Sequence, residues 1–244
     1  ADNGMGCAVA MAVLEDKSLV HGPIEALFTI DEETGMTGAN HLKPGLLKGD
    51  ILLNLDSEDE GELYVGCAGG VDVNVTMNYP EVDMPKGFVA YKLSVTGLKG
   101  GHSGMDINIG RANSNKILFR FLTYATHFYD LRIAEINGGS LRNAIPRESF
   151  AIVAISEKEA SKFEGEVAKF EKIFKQEFSK SEPDLQMKVE KTNAPAKIMA
   201  NDEMHKICKA VYACPHGVQR MSDAMPGLVE TSNNLAIVKC INGK

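Results

Sequence analysis

Small and apolar residues fill nearly every position from Gly4 to Glu15, so this segment reads as a helix buried on all sides, entered through the Asp-Asn-Gly turn before it. Ile24 to Ile30 is a short apolar run that predicts a strand. Thr34 to Leu42 predicts a helix ended by "KPG", and Ile51 to Leu55 predicts the next strand. Helix, strand, helix, strand implies an α/β sheet with parallel strands, in which sites gather at the carboxyl ends of the strands.

After "GCAGG" the pattern changes. Val71 to Met77 and Phe88 to Gly97 alternate as strands, Asn108 to Phe128 has helical periodicity, and Leu131 to Asn137 and Glu148 to Ile155 read as strands. Glu157 to Phe178 predicts an amphipathic helix with Phe163, Val167, Phe170, Ile173 and Phe174 near one face, followed by a strand around Leu185 to Val189. The order β-α-β-β-α-β fits an antiparallel α+β layer of ferredoxin-like type. Asp202 to Tyr212 as helix and Leu235 to Ile241 as strand extend it. A boundary near Gly66 to Gly70 divides the chain into residues 1–68 and 69–244.

Composition narrows the function classes. The 244 residues suffice for a sizeable core, and 44% hydrophobic with 24% charged residues is ordinary globular composition. No apolar run is long enough to span a bilayer, so a soluble protein without a membrane partner is expected. The formal charge of −7 without a concentrated basic stripe argues against nucleic acid as a partner. Cys7, Cys67, Cys208, Cys214 and Cys240 are odd in number and lack CxxC spacing, which predicts reduced, mostly buried thiols of a cytoplasmic protein.

The chemistry concentrates where apolar runs end in acids. Asp31, Glu32 and Glu33 follow the first predicted strand, Asp56 follows the second, and Asp2 stands at the turn into the first helix. Parallel neighbouring strands would bring these positions to one sheet edge, where adjacent carboxylates repel unless cations lie between them. Divalent cations resolve the repulsion, and one of the paired glutamates can ligate while its neighbour acts on water. The alternative is that each acid is a solvated loop residue. His102, within "GLKGGHSG", is likewise either a surface histidine or a functional one among glycines that permit close approach of a ligand.

Taken together, "ADNG", "TIDEETGMTGA" and "LLNLDSE", with "GCAGG", "GLKGGHSGMDI", "NGGSLRNAIPRE" and "LVETSNN", resemble the metallopeptidase M20 family, in particular its Xaa-His dipeptidase branch, over essentially the whole chain. The resemblance implies part of a zinc-exopeptidase-like α/β catalytic domain followed by a ferredoxin-like lid that carries dimer contacts. It implies that Asp2 bridges two zinc ions, that Glu33 and Asp56 each ligate one of them, and that Glu32 is the general base. It implies that His102, on the lid, stabilises the tetrahedral oxyanion, commonly at a partner subunit's site, and that Asn143 hydrogen-bonds substrate. Arg142 is expected to pair with a local carboxylate.

The activity implied is zinc-dependent hydrolysis of dipeptides. A related M20 aminoacylase or tripeptidase, or a non-catalytic lid and dimerisation module, are the competing readings. The family's site also takes histidines from an HxD motif before the bridging aspartate and from a C-terminal segment, and neither context occurs in this sequence. The chain is therefore expected to be an internal piece of a longer enzyme, inactive by itself.

Overall fold

The computed structural model describes residues 3–32, 35–57 and 60–244. Two compact units divide the chain, Ala1–Val71 and Asp72–Lys244.

In the first unit the described residues form two helices, α1 (Gly4–Glu15) and α2 (Thr37–Asn40). Asn3 caps α1: its Oδ1 accepts from Gly6 N at 2.9 Å, satisfying one of the free N–H groups of the first turn. The expected helix is therefore present, but none of its residues is buried. The expected strands Ile24 to Ile30 and Ile51 to Leu55 run without a ladder among the described residues. An apolar run can supply one side of a strand, whereas the hydrogen bonds that make it one come from a neighbour.

The second unit holds eleven strands and three helices among the described residues. In chain order they are β1 (Glu81–Asp83), β2 (Phe88–Thr96), β3 (Gly101–His102), α3 (Ser114–Phe128), β4 (Leu131–Gly138), β5 (Ala144–Ile145) and β6 (Ser149–Ser156). There follow α4 (Ala160–Glu177), β7 (Gln186–Lys191), β8 (Lys197–Met199), α5 (Asn201–Ala213), β9 (Gly217–Met221), β10 (Val229–Asn233) and β11 (Val238–Cys240). The mixed α/β class and the lid-type layer read from the sequence are both present. Five strands pair in the order β11-β4-β6-β2-β7, antiparallel throughout. Within it β2, α3, β4, β6, α4 and β7 trace the expected β-α-β-β-α-β path, and β11 adds to the β4 edge.

Alternation along β2 sends Tyr91, Leu93 and Val95 to one face, where they meet the inward stripes of α3 and α4. Phe163 of α4 lies 5.8–5.9 Å from the rings of Tyr91, Phe121 and Tyr129, a cluster in the favoured range for tilted aromatic pairs. Of the stripe read from sequence, Phe163, Val167 and Phe174 are buried, Phe170 packs at the margin and Ile173 is exposed. Asn113 caps α3, its Oδ1 accepting from Lys116 N at 3.2 Å.

Two further expectations are corrected. Val71 to Met77 joins no ladder, and its valines are exposed. Of the cysteines only Cys208 and Cys240 are buried, while Cys7 and Cys67 are exposed and all five are free. The short pairs β1–β8, β9–β10 and β3–β5 carry no pattern long enough to be read in advance. No helix among the described residues is long and apolar enough to cross a membrane.

Candidate functional site

The acidic turn of the first unit is tightly folded around Glu32. Its carbonyl accepts from Gly35 N at 3.1 Å and Met36 N at 2.9 Å, and Thr37 N donates to the Asp31 carbonyl at 3.2 Å. The Thr37 hydroxyl donates to the Asp31 carboxylate, which occupies that acid locally. Asp31 and Met36 both adopt left-handed backbone, with φ of 63° and 53°, a conformation non-glycine residues enter at a cost. Glu32 is left exposed at the tip.

Two tethers draw the flanking segments together. Asn3 Nδ2 donates to the Leu55 carbonyl at 2.6 Å, tying the start of α1 to the residue before Asp56. Glu25 Oε2 accepts from Lys48 N at 2.7 Å and Gly49 N at 3.0 Å, joining the starts of the two apolar runs. Asp56 itself is exposed, with its N–H on Asn54 Oδ1 at 3.2 Å. Asp2 and Glu33 lie outside the described residues. Among the described residues no group of three or more His, Cys, Asp or Glu side chains could hold a metal ion. Asp56 alone is too few oxygens for a zinc site, so the described residues do not by themselves fit the expected ion pair.

In the second unit the structure brings His102 and Asn143 side by side across 41 residues of sequence. β3 pairs with β5 so that His102 faces Ala144, and Ser103 N donates to the Asn143 carbonyl at 2.8 Å. The His102 ring is held from one side: Nδ1 accepts from Gly104 N at 3.1 Å and from Met105 N at 3.2 Å. A neutral imidazole with Nδ1 as acceptor carries its proton on Nε2, so the free edge of the ring is a donor. The backbone beneath is pinned as well, His102 N donating to Asp106 Oδ2 at 2.7 Å and Asp106 N to the His102 carbonyl at 2.9 Å. Glycine at 101 is required by this closure, because φ is +156° and a Cβ would lie 2.6 Å from the Asp106 carboxylate.

Arg142 pairs with Asp72 at 3.4 Å, both side chains largely exposed, which is the local pairing expected of it. Asn234 is the last residue of "LVETSNN", a motif that by itself assigns it no role. Its Nδ2 donates to the Ala144 carbonyl at 2.7 Å, bracing the strand opposite His102. A separate cleft between α3 and α5 is lined by Thr123, Thr126, His127, His205, Cys208 and Lys209. Burial pushes the Cys208 thiol up to about 12, so it stays protonated and unreactive there.

Residues 86–182 match the peptidase dimerisation domain of the M20 peptidases. Over 245 aligned residues the chain is 44% identical to the cytosol non-specific dipeptidase of Escherichia coli K12, covering 98% of this chain and 49% of the relative. It superposes on the crystal structure of aminoacylhistidine dipeptidase from Vibrio alginolyticus with a TM-score of 0.83 at 47% identity, covering 99% of this chain and 49% of that one. The chain thus spans about half the length of these relatives. On these matches, residues 86–182 are similar to the dimerisation domain of M20 peptidases, and nearly the whole chain is similar to about half of two dipeptidases.

Proposed function

We propose that this chain acts within a polypeptide of about its relatives' length as part of a cytoplasmic, homodimeric dipeptidase that cleaves Xaa-His dipeptides. In this reading residues 1–68 belong to the catalytic unit and 69–244 form the lid. Glu32 takes the proton of the attacking water and returns it to the leaving amine. His102 donates from Nε2 to the oxyanion, and Asn143 holds the substrate backbone beside it. Zinc ions at Asp2, Glu33 and Asp56, completed by further ligands, would supply a water of lowered pKa.

The observation that carries the reading is the fixed ring of His102, whose Nδ1 is occupied by Gly104 N and Met105 N. A donor locked in one tautomer needs no reorganisation when negative charge develops, which is what stabilisation of an oxyanion requires. The dipeptidase relatives support the substrate class.

The test is histidine release from a dipeptide by the full-length protein. Glu32→Gln should lower kcat by about 10²-fold or more with zinc content unchanged, because it removes a base and no ligand. Near-normal turnover in that variant sinks the assignment. Hydrolysis of N-acyl amino acids in place of dipeptides would move the protein to the aminoacylase branch. The dimerisation-domain match over residues 86–182 favours a second reading, a non-catalytic lid and dimerisation module. A full-length protein that dimerises but releases no histidine would establish it.

A further inference from the structure

Glu182 is 1% exposed, a carboxylate almost wholly removed from water. Burying such a group is costly unless its oxygens are met by donors. Here both are met by backbone: Lys99 N donates to Oε2 at 2.7 Å, and Ala112 N donates to Oε1 at 3.0 Å. Lys99 and Ala112 are the entry and exit of the loop that carries His102. One side chain therefore closes both ends of that loop.

The clamp is itself anchored. Glu182 N donates to the Phe178 carbonyl at 2.8 Å just beyond α4, and Leu185 N donates to the Glu182 carbonyl at 3.2 Å. The same connection presses on the loop entrance at Gly97, where φ is +77° and any Cβ would collide with the Asp184 carbonyl. An ionised carboxylate offers acceptors on both oxygens. Glutamine, of the same shape, would turn an N–H₂ toward one of the two N–H donors.

We propose that Glu182 is a positioning residue for His102: by holding Lys99 N and Ala112 N together it fixes the loop in the shape that keeps Gly104 N and Met105 N on Nδ1. The proposal rests on the reading of His102 as oxyanion donor. Because Glu182 reaches only the ends of the loop, its loss should act on the transition state through the histidine and leave ground-state substrate binding nearly alone.

Glu182→Gln in the full-length protein should lower kcat about tenfold with KM within about twofold and zinc content unchanged. In ¹⁵N spectra of the ring, His102 should change from a single Nε2–H tautomer to an averaged pair. An unchanged kcat, or an unchanged tautomer signature, overturns the proposal. A wild-type measurement stands independently of whether the variant folds: the Lys99 and Ala112 amides should exchange with solvent at least about 100-fold more slowly than exposed loop amides. Exchange at the exposed-loop rate overturns the clamp. His102→Ala separates the two levels. If it retains turnover, the oxyanion reading fails; if it abolishes turnover while Glu182→Gln is silent, only the clamp does.

Discussion

Ile51 to Leu55 and β2 are both apolar stretches, yet they meet opposite fates. Ile51, Leu52 and Leu53 are 83%, 78% and 77% exposed, while Leu93 and Val95 of β2 are fully buried. The difference lies in what stands beside them. β2 has β6 on one side and β7 on the other, with α3 and α4 over its inward face. Among the described residues of the first unit, the turns, caps and tethers are formed but nothing is buried. Local chemistry thus survives without a core: Asn3 still caps α1, and the Glu32 turn still closes. Burial is cooperative and needs layers on both sides.

The largest effect that sharpens this contrast is in the second unit. Phe121→Ala removes a fully buried ring packed against Phe163 and Phe170 and should cost about 3–5 kcal/mol, read as faster amide exchange along β2 and β6. A loss under about 1 kcal/mol would break the claim that this unit holds the core.

An intermediate effect is expected from acid. Burial, followed by the nearby charge of Lys116, holds the half-buried His216 imidazole down to about 4 from its ordinary 6.5. Its Nδ1 lies 3.1 Å from Asn113 Nδ2, the amide that caps α3 through its oxygen, so the neutral ring serves as acceptor there. The unfolded chain takes up this proton near 6.5 and the folded one only near 4. The stabilising contribution is therefore complete above 6.5 and lost as pH falls toward 4. His216→Gln should flatten the fall in denaturant midpoint across that window, and an identical slope in both proteins would remove His216 from the account.

The smallest effect belongs to the first unit. Leu52→Ala should change stability by no more than about 0.5 kcal/mol in this chain, because its side chain is already in water. A loss comparable to that of Phe121→Ala would mean that the apolar runs of the two units are not so different after all.

How much was legible in advance follows the same division. The α4 stripe from Phe163 to Phe174 and the β2 alternation are legible in the sequence, since a period of 3.6 or 2 declares a face wherever one side is buried. The candidate site is proposed from residue types in motifs. What stayed hidden were the partners: that Ser103 would meet Asn143, that Asn234 would brace Ala144, and that Glu182 would close the His102 loop from 70 and 83 residues away. Glu182 sits in the unremarkable stretch "KSEPD", where a glutamate reads as solvated.

By itself the sequence determined the order of elements in the second unit and the apolar faces of its longer strands and helices. Caps, turns and periodicity are local, set by each side chain's effect on its own few neighbours in the chain. Only the tertiary structure decided which strands found ladders, which tautomer His102 holds and which carboxylate is buried. Those depend on hydrogen bonds and desolvation between segments far apart in sequence, where a residue's environment is made by the fold.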